Sequence, residues 1–339
     1  MHETQVHRWR TLPERYGHLD VVTTTIDAQG RMIALLASPE VGFARPARTA
    51  AKVRLPYEAI AVIVEDSGHQ EIELKNLDYR WPKIDAFADG LILVNSRCGL
   101  PSMPEDVSPW EMVYLDETEL LLPLNATIFD ADGSPTSAFH VGDAIEVLQT
   151  DQRENIWIGY FDESSVWTPA PAHVRHRPQY RGKRTKIRLP GLIRWSVNGM
   201  PAWSAGDDPV KLSWMDCYAL NVGADRAWAC PYTNFPLVTI DDTGVRTINR
   251  NSVRGARGLA VTDDEVVFIN SYQDTDFDGV TIVRCDRADG VVDMAERRVL
   301  TLPDGSQPTR LHRVTGRDHR LWMQLDDDRA WYLTEACEG

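Results

Sequence analysis

The sequence predicts an all-β chain folded as a six-bladed β-propeller. Three observations lead there: a paired-strand pattern that recurs six times, a second hairpin that follows most of those pairs, and a short strand at the start of the chain that matches a gap at its end. The best-formed pair lies in HVGDAIEVLQTDQRENIWIGYFDE (140–163), where apolar residues alternate on either side of a polar turn, the period of a half-buried strand. The other pairs are LDVVTTTIDAQGRMIALLAS (19–38), IDAFADGLILVNSR (84–97), DCYALNVGADRAWACPY (216–232), GLAVTDDEVVFINSY (258–272) and TRLHRVTGRDHRLWMQL (309–325). Their spacing is irregular, as expected for β-repeats carrying loops of different length.

Second hairpins follow at AVIVEDSGHQEIEL (61–74), ATIFDADGSPTSAF (126–139), LIRWSVNGMPAW (192–203), LVTIDDTGVRTI (237–248) and VTIVRCDRADGVVDM (280–294). Ser-Gly, Asp-Gly and Asn-Gly near the bends supply the positive φ that tight turns need. Four strands per repeat is the plan of a propeller blade. The sixth repeat offers three strands, RLHRV, RLWMQL and RAWYLT, and VHRWRTL (6–12) supplies the fourth, closing the ring as one domain over 1–339. Seven blades is the alternative, with MVYLDETELLLPL (112–124) providing the extra strands.

Composition narrows the function. Hydrophobic residues make up 43% of 339, so there is material for a core along the whole chain. The formal net charge of -14 disfavours nucleic acid and anionic membrane surfaces as partners. The start of the chain lacks the apolar segment of a signal peptide, and no apolar run is long enough to span a bilayer, so a cytoplasmic protein is expected. Five dispersed cysteines without a C-x-x-C pair argue against structural zinc and a disulfide framework. Neither a P-loop nor G-x-G-x-x-G occurs, so no nucleotide cofactor is expected.

The N-I-W-I-G run at 155–159 resembles the inner hairpin of bacterial propellers, including streptogramin-lyase-like and two-component-regulator repeats. HVGDAIE, IWIGYFDE, DCYALNV and TNFPLV resemble a group of uncharacterised actinobacterial propeller proteins. The resemblance implies the fold and brings no reaction. Gluconolactonase-like propellers are a more distant resemblance, and the E-G-P opening of lactonase-like blades is missing here.

Propeller geometry sorts the polar residues by face. The first-hairpin turns, with Asp27, Asp89, Asp151, Asp225, Asp264 and Asp318, fall on the bottom, where aspartates shape turns. The opposite face receives the chain entering each inner strand, with His18, Lys83–Asp85, His140, Asp143, Asp216, Arg254–Arg257 and His312. It also receives the chain leaving the second strand, with Asp162, Glu163, Tyr232, Asn234 and Tyr272. His140, Asp143, Asp162 and Glu163 are the candidate catalytic set, and Asp162, Glu163 and Asn234 could hold one divalent cation such as Ca, Mg or Mn. Tyr232, Asn234, Tyr272, His18 and His312 are candidate ligand contacts.

Long top-face loops are expected at 38–57, 98–125 and 162–190; the last carries Arg181, Lys183 and Arg184, which suit an anionic ligand. DTDFDG (274–279) matches half of a calcium loop through Asp274, Asp276 and Asp278, but position twelve is Cys285 and a strand follows. Two functions are therefore expected of the mouth. One is small-molecule binding, extending to a metal-assisted hydrolase, lyase or cyclase; the other is a non-catalytic scaffold for a protein partner.

Overall fold

The computed structural model describes residues 2–43, 53–98, 123–162, 191–210, 212–270, 279–288 and 290–335. The chain begins with β1 (His2–Gln5) and β2 (His7–Thr11). Twenty-three further strands follow as antiparallel meanders. The first blade is β3 (Asp20–Ile26), β4 (Met32–Ala37), β5 (Tyr57–Glu65) and β6 (Gly68–Leu77); the second is β7 (Pro82–Phe87), β8 (Gly90–Asn95), β9 (Ala126–Phe129) and β10 (Pro135–Phe139). The third is β11 (Ile145–Thr150), β12 (Ile156–Tyr160), β13 (Leu192–Trp195) and β14 (Pro201–Ser204), and the fourth is β15 (Asp216–Val222), β16 (Ala227–Tyr232), β17 (Leu237–Asp241) and β18 (Gly244–Asn251). The fifth is β19 (Gly258–Val261), β20 (Glu265–Ile269), β21 (Thr281–Ala288) and β22 (Val291–Thr301).

The sixth blade takes β23 (Arg313–Arg317), β24 (Arg320–Gln324) and β25 (Ala330–Glu335) from the end of the chain and β2 from its start. β2 runs antiparallel to β25, from His7 opposite Leu333 to Thr11 opposite Ala330, which is the closure expected of 6–12. β1 was not anticipated. It adds in parallel to β22, from His2 opposite Arg298 to Gln5 opposite Thr301, and covers the end of an edge whose start is paired with β18. The alternative seventh blade draws on 112–124, of which 112–122 lie outside the described residues.

Apolar alternation builds one buried cluster at each junction between neighbouring blades. Leu35, Ile63 and Leu91 join the first and second blades; Ile92, Ile158 and Trp195 the second and third; Trp157, Leu220 and Val238 the third and fourth. Trp228, Phe268 and Val283 join the fourth and fifth, and Ile282, Leu321 and Tyr332 the fifth and sixth. Ile26, Leu36, Val62, Trp322 and Trp331 close the ring between the sixth and the first. Trp331 Nε1 donates to Thr24 Oγ1 across this last junction at 3.0 Å, and the Arg329 guanidinium donates to the Leu19 and Tyr16 carbonyls. A buried tryptophan contributes both apolar area and a satisfied polar handle, so it fixes orientation as well as stability.

The bottom turns repeat one chemistry. Asp27 Oδ1 accepts from the amides of Gln29 and Arg31, Asp151 Oδ1 from those of Arg153 and Asn155, and Asp130 Oδ1 from those of Asp132 and Ser134. Each carboxylate thus replaces the missing ladder partner at its bend.

At the bottom the inner strands approach so closely that Gly316 has no room for a side chain. A Cβ there would lie 2.0 Å from the Leu259 carbonyl oxygen. Gly316→Ala is therefore expected to cost about 1–3 kcal/mol of stability, because backbone rather than a flexible side chain must yield. Urea denaturation checks this, and an unchanged midpoint would show that the two strands can separate freely.

Candidate functional site

The inner strands β3, β7, β11, β15, β19 and β23 surround a channel whose upper part opens into a cavity of about 730 Å³. Its charged lining comes from five blades: Lys83 from β7, Glu146 from β11, Asp216 from β15, Arg257 just before β19, and Arg313 from β23. Asp162 follows β12, His312 precedes β23, and Thr23 and Thr25 of β3 supply a neutral wall.

Local backbone irregularity aims two of these groups. The pairing of β11 with β12 shifts register between Ile145 and Val147, leaving Glu146 as an extra residue. The same shift between Cys217 and Ala219 leaves Tyr218 extra in β15. A bulge breaks strict alternation and re-aims a side chain, and here both extra residues line the mouth. Aromatic neighbours hold Tyr218: Phe235 lies edge-on with ring centroids 5.0 Å apart, and Tyr232 is at 6.3 Å.

The electrostatics of the mouth are perturbed. Burial, followed by the charges of Asp162 and Glu146, pushes the Asp216 carboxyl up to about 6, while a hydrogen bond from the Asp162 amide opposes the shift. Burial lowers the pKa of Lys83; Glu146 opposes this and Arg313 adds to it. Burial and Arg310 lower that of His312, which favours its neutral form. Arg313 also has its pKa lowered by burial; it donates to Gln324 Oε1 at 3.0 Å and to the Val22 carbonyl at 3.3 Å.

Below the cavity the channel is crossed by Arg317. Its Nη2 meets Asp85 Oδ2 at 2.7 Å, and its guanidinium donates to the carbonyls of Ile26, Thr150 and Val222, the last residues of β3, β11 and β15. One side chain of the sixth blade thus ties together four others. Asp85 is fully buried and also accepts from the Thr150 and Ala86 amides. Burial pushes its carboxyl up to about 6 against the attraction of Arg317. Gln149 links the same layer, donating to the Gly316 carbonyl and accepting from the Val222 amide.

The candidates read from sequence separate on this framework. Asp162 and His312 line the cavity, together with Lys83, Asp216 and Arg257 from the same top-face set. Asp85 does not belong to that face. It shares a side of β7 with Lys83 but lies two residues, about 7 Å, further down, in the Arg317 layer. Asp143 is outside the cavity lining, where its Oδ1 accepts from the Cys98 amide at 2.8 Å and its Oδ2 lies 4.0 Å from Arg97. His140 is also outside it: Nδ1 donates to the Pro123 carbonyl at 2.8 Å, Nε2 is buried, and burial lowers its pKa.

Tyr232 is 39% exposed in the aromatic group beside Tyr218. Asn234 is exposed in the adjoining turn with φ of 51°, and His18 is exposed in the turn before β3. Glu163, Arg181, Lys183, Arg184, Tyr272, Asp274, Asp276 and Asp278 lie outside the described residues. Among the described residues no three His, Cys, Asp or Glu side chains gather as a metal site would require. Cys98, Cys217, Cys230 and Cys285 are free thiols, and burial pushes each one up, to about 12 at Cys98, Cys230 and Cys285, the opposite of an activated nucleophile.

Four-stranded antiparallel meanders around one channel, some standing as separate sheets and the later ones joined by short parallel pairings of β15 with β23 and β18 with β22, define a β-propeller. No family model matches the chain, and neither does any curated protein. Among solved structures it is similar to a streptogramin B lyase (11% identity, 93% of this chain and 79% of that one, TM-score 0.46). It is also similar to the β-propeller domain of Cps50 (Swd1) from Myceliophteria thermophila (10%, 98% and 99%, TM-score 0.45). A gluconolactonase from Xanthomonas campestris is a third (12%, 94% and 95%, TM-score 0.41). At such identities the likeness concerns fold and brings no activity to this chain. The actinobacterial resemblance gains no support from these comparisons. Among the described residues no helix is long and apolar enough to cross a membrane.

Proposed function

We propose that this propeller binds a small charged molecule in the upper mouth of its channel, with Asp216 as the group that exchanges a proton with it. The observation that supports this most is convergence: charged side chains from five blades meet in one cavity, while Arg317 crosses the channel below. A concave mouth with few convergent polar groups and a perturbed carboxyl is the usual form of a binding or catalytic site. A carboxyl that titrates near 6 is matched to general acid or base work near neutrality, the proton transfer that hydrolases, lyases and cyclases share. The reading needs no metal, and Asp162 enters it as the neighbour that keeps Asp216 basic.

The test is the pH dependence of binding for any molecule found to occupy the mouth. Asp216 loses its charge as pH falls through about 6, whereas the lowered pKa of His312 disfavours the charged form of that ring. Affinity is therefore expected to change with a single ionisation near 6, and the change should vanish in Asp216→Asn. A profile identical in the two proteins would remove Asp216 from the site.

A further inference from the structure

We propose that the ligand of this mouth is a zwitterion, with an ammonium on the third- and fourth-blade side and a carboxylate or phosphate on the side of blades two, five and six. This deepens the binding reading above and rests on it.

The charges of the cavity are segregated by blade. Glu146, Asp162 and Asp216 come from the third and fourth blades, which are neighbours. Arg257 and Arg313 come from the fifth and sixth, and Lys83 from the second. The first blade, opposite the fourth, contributes threonines. Three carboxylates and three cations therefore line a single opening from separate blades, in a protein whose overall charge is -14. A molecule with one charge would gain beside one set while meeting like charge beside the other; a dipolar molecule satisfies both.

Lys83 and Glu146 have not neutralised one another. They are near enough for Glu146 to favour the lysine's charge, yet they form no ion pair or hydrogen bond with each other among the described residues. Arg313 commits two donors, to Gln324 and Val22, of the five that a guanidinium carries. Arg257 commits one, to the Leu311 carbonyl at 3.1 Å. Donors thus remain for an anionic group, and a fork of N–H groups suits carboxylate and phosphate alike. On the acidic side Tyr218 stands beside Asp216, its ring held by Phe235 and Tyr232. An aromatic face next to carboxylates is the chemistry that recognises an alkylammonium.

The probes are ε-aminohexanoate, its N-acetyl derivative, which lacks the cation, and hexylamine, which lacks the anion; binding is read by ligand-observed NMR and calorimetry. The zwitterion should bind at least about tenfold more tightly than either relative. Asp216→Asn should reduce its affinity to that of the N-acetyl compound, and Lys83→Met to that of hexylamine, each variant affecting one arm only. Phosphoethanolamine, compared in the same way, distinguishes a phosphate from a carboxylate as the anionic group. Equal binding of a singly charged relative overturns the zwitterion and leaves the mouth as a binding site, as does occupation of the mouth by other molecules when the zwitterions fail. If no molecule of any charge class binds there, both readings fall.

Discussion

Arg317→Met is expected to unfold with about 3–5 kcal/mol less free energy than the parent protein. Methionine keeps most of the side-chain volume, so the loss measures the guanidinium rather than a cavity. Removing it leaves the fully buried Asp85 carboxylate without its cation, and frees the carbonyls of Ile26, Thr150 and Val222 at the ends of three inner strands. The pH dependence identifies the cause. The folded-state pKa of Asp85 is already raised, to about 6, and loss of Arg317 raises it further. Destabilisation by an unpaired buried carboxylate is complete above the folded pKa and fades as pH falls toward the unfolded value, so the deficit of Arg317→Met should shrink on acidification. Asp85→Asn added to Arg317→Met should recover part of the loss at neutral pH. A simple additive penalty in the double variant, measured by urea denaturation, would show that the two side chains act independently.

Asp216→Asn is expected to behave in the opposite sense: stability at neutral pH stays level or rises while function at the mouth is lost. A carboxyl whose folded pKa lies above its unfolded value stabilises the fold only while protonated; its contribution is present below about 4 and is lost as pH rises through about 6. At neutral pH the folded state therefore carries a charge held in partial burial beside two other carboxylates, and asparagine relieves that repulsion. Retaining such a residue makes sense where the charge serves a ligand. Thermal unfolding and binding, measured on the same preparation, check the pair of outcomes. A variant that loses stability and binding in proportion would make Asp216 a structural residue.

The blades were legible because their signals are local. Alternating apolar residues and Asp-Gly or Asn-Gly bends mark β11 with β12 and the outer hairpins from β5 onward, and VHRWRTL anticipated the closing strand β2. The site was legible only by face. Asp162 and His312 could be placed because they flank strands, but Glu146 and Tyr218 reach the mouth through bulges, and a register shift leaves no mark in composition. Asp143 was expected in the mouth by its place on that face, yet it lies before the strand and accepts from the Cys98 amide. Arg317 was invisible for another reason. In RVTGRDHR it reads as a charged residue beside a solvated turn, and only the closed ring, bringing together the ends of β3, β11 and β15, makes that position the centre of the molecule.

A structure determined with the tightest-binding small molecule from a charge-diverse screen tests the central claim most directly. The expected result is a ligand inside the cavity between Asp216 and Arg313, in contact with both the carboxylates and the cations. A ligand seated on the outer rim of the blades or on the bottom turns, with the mouth empty, would contradict it.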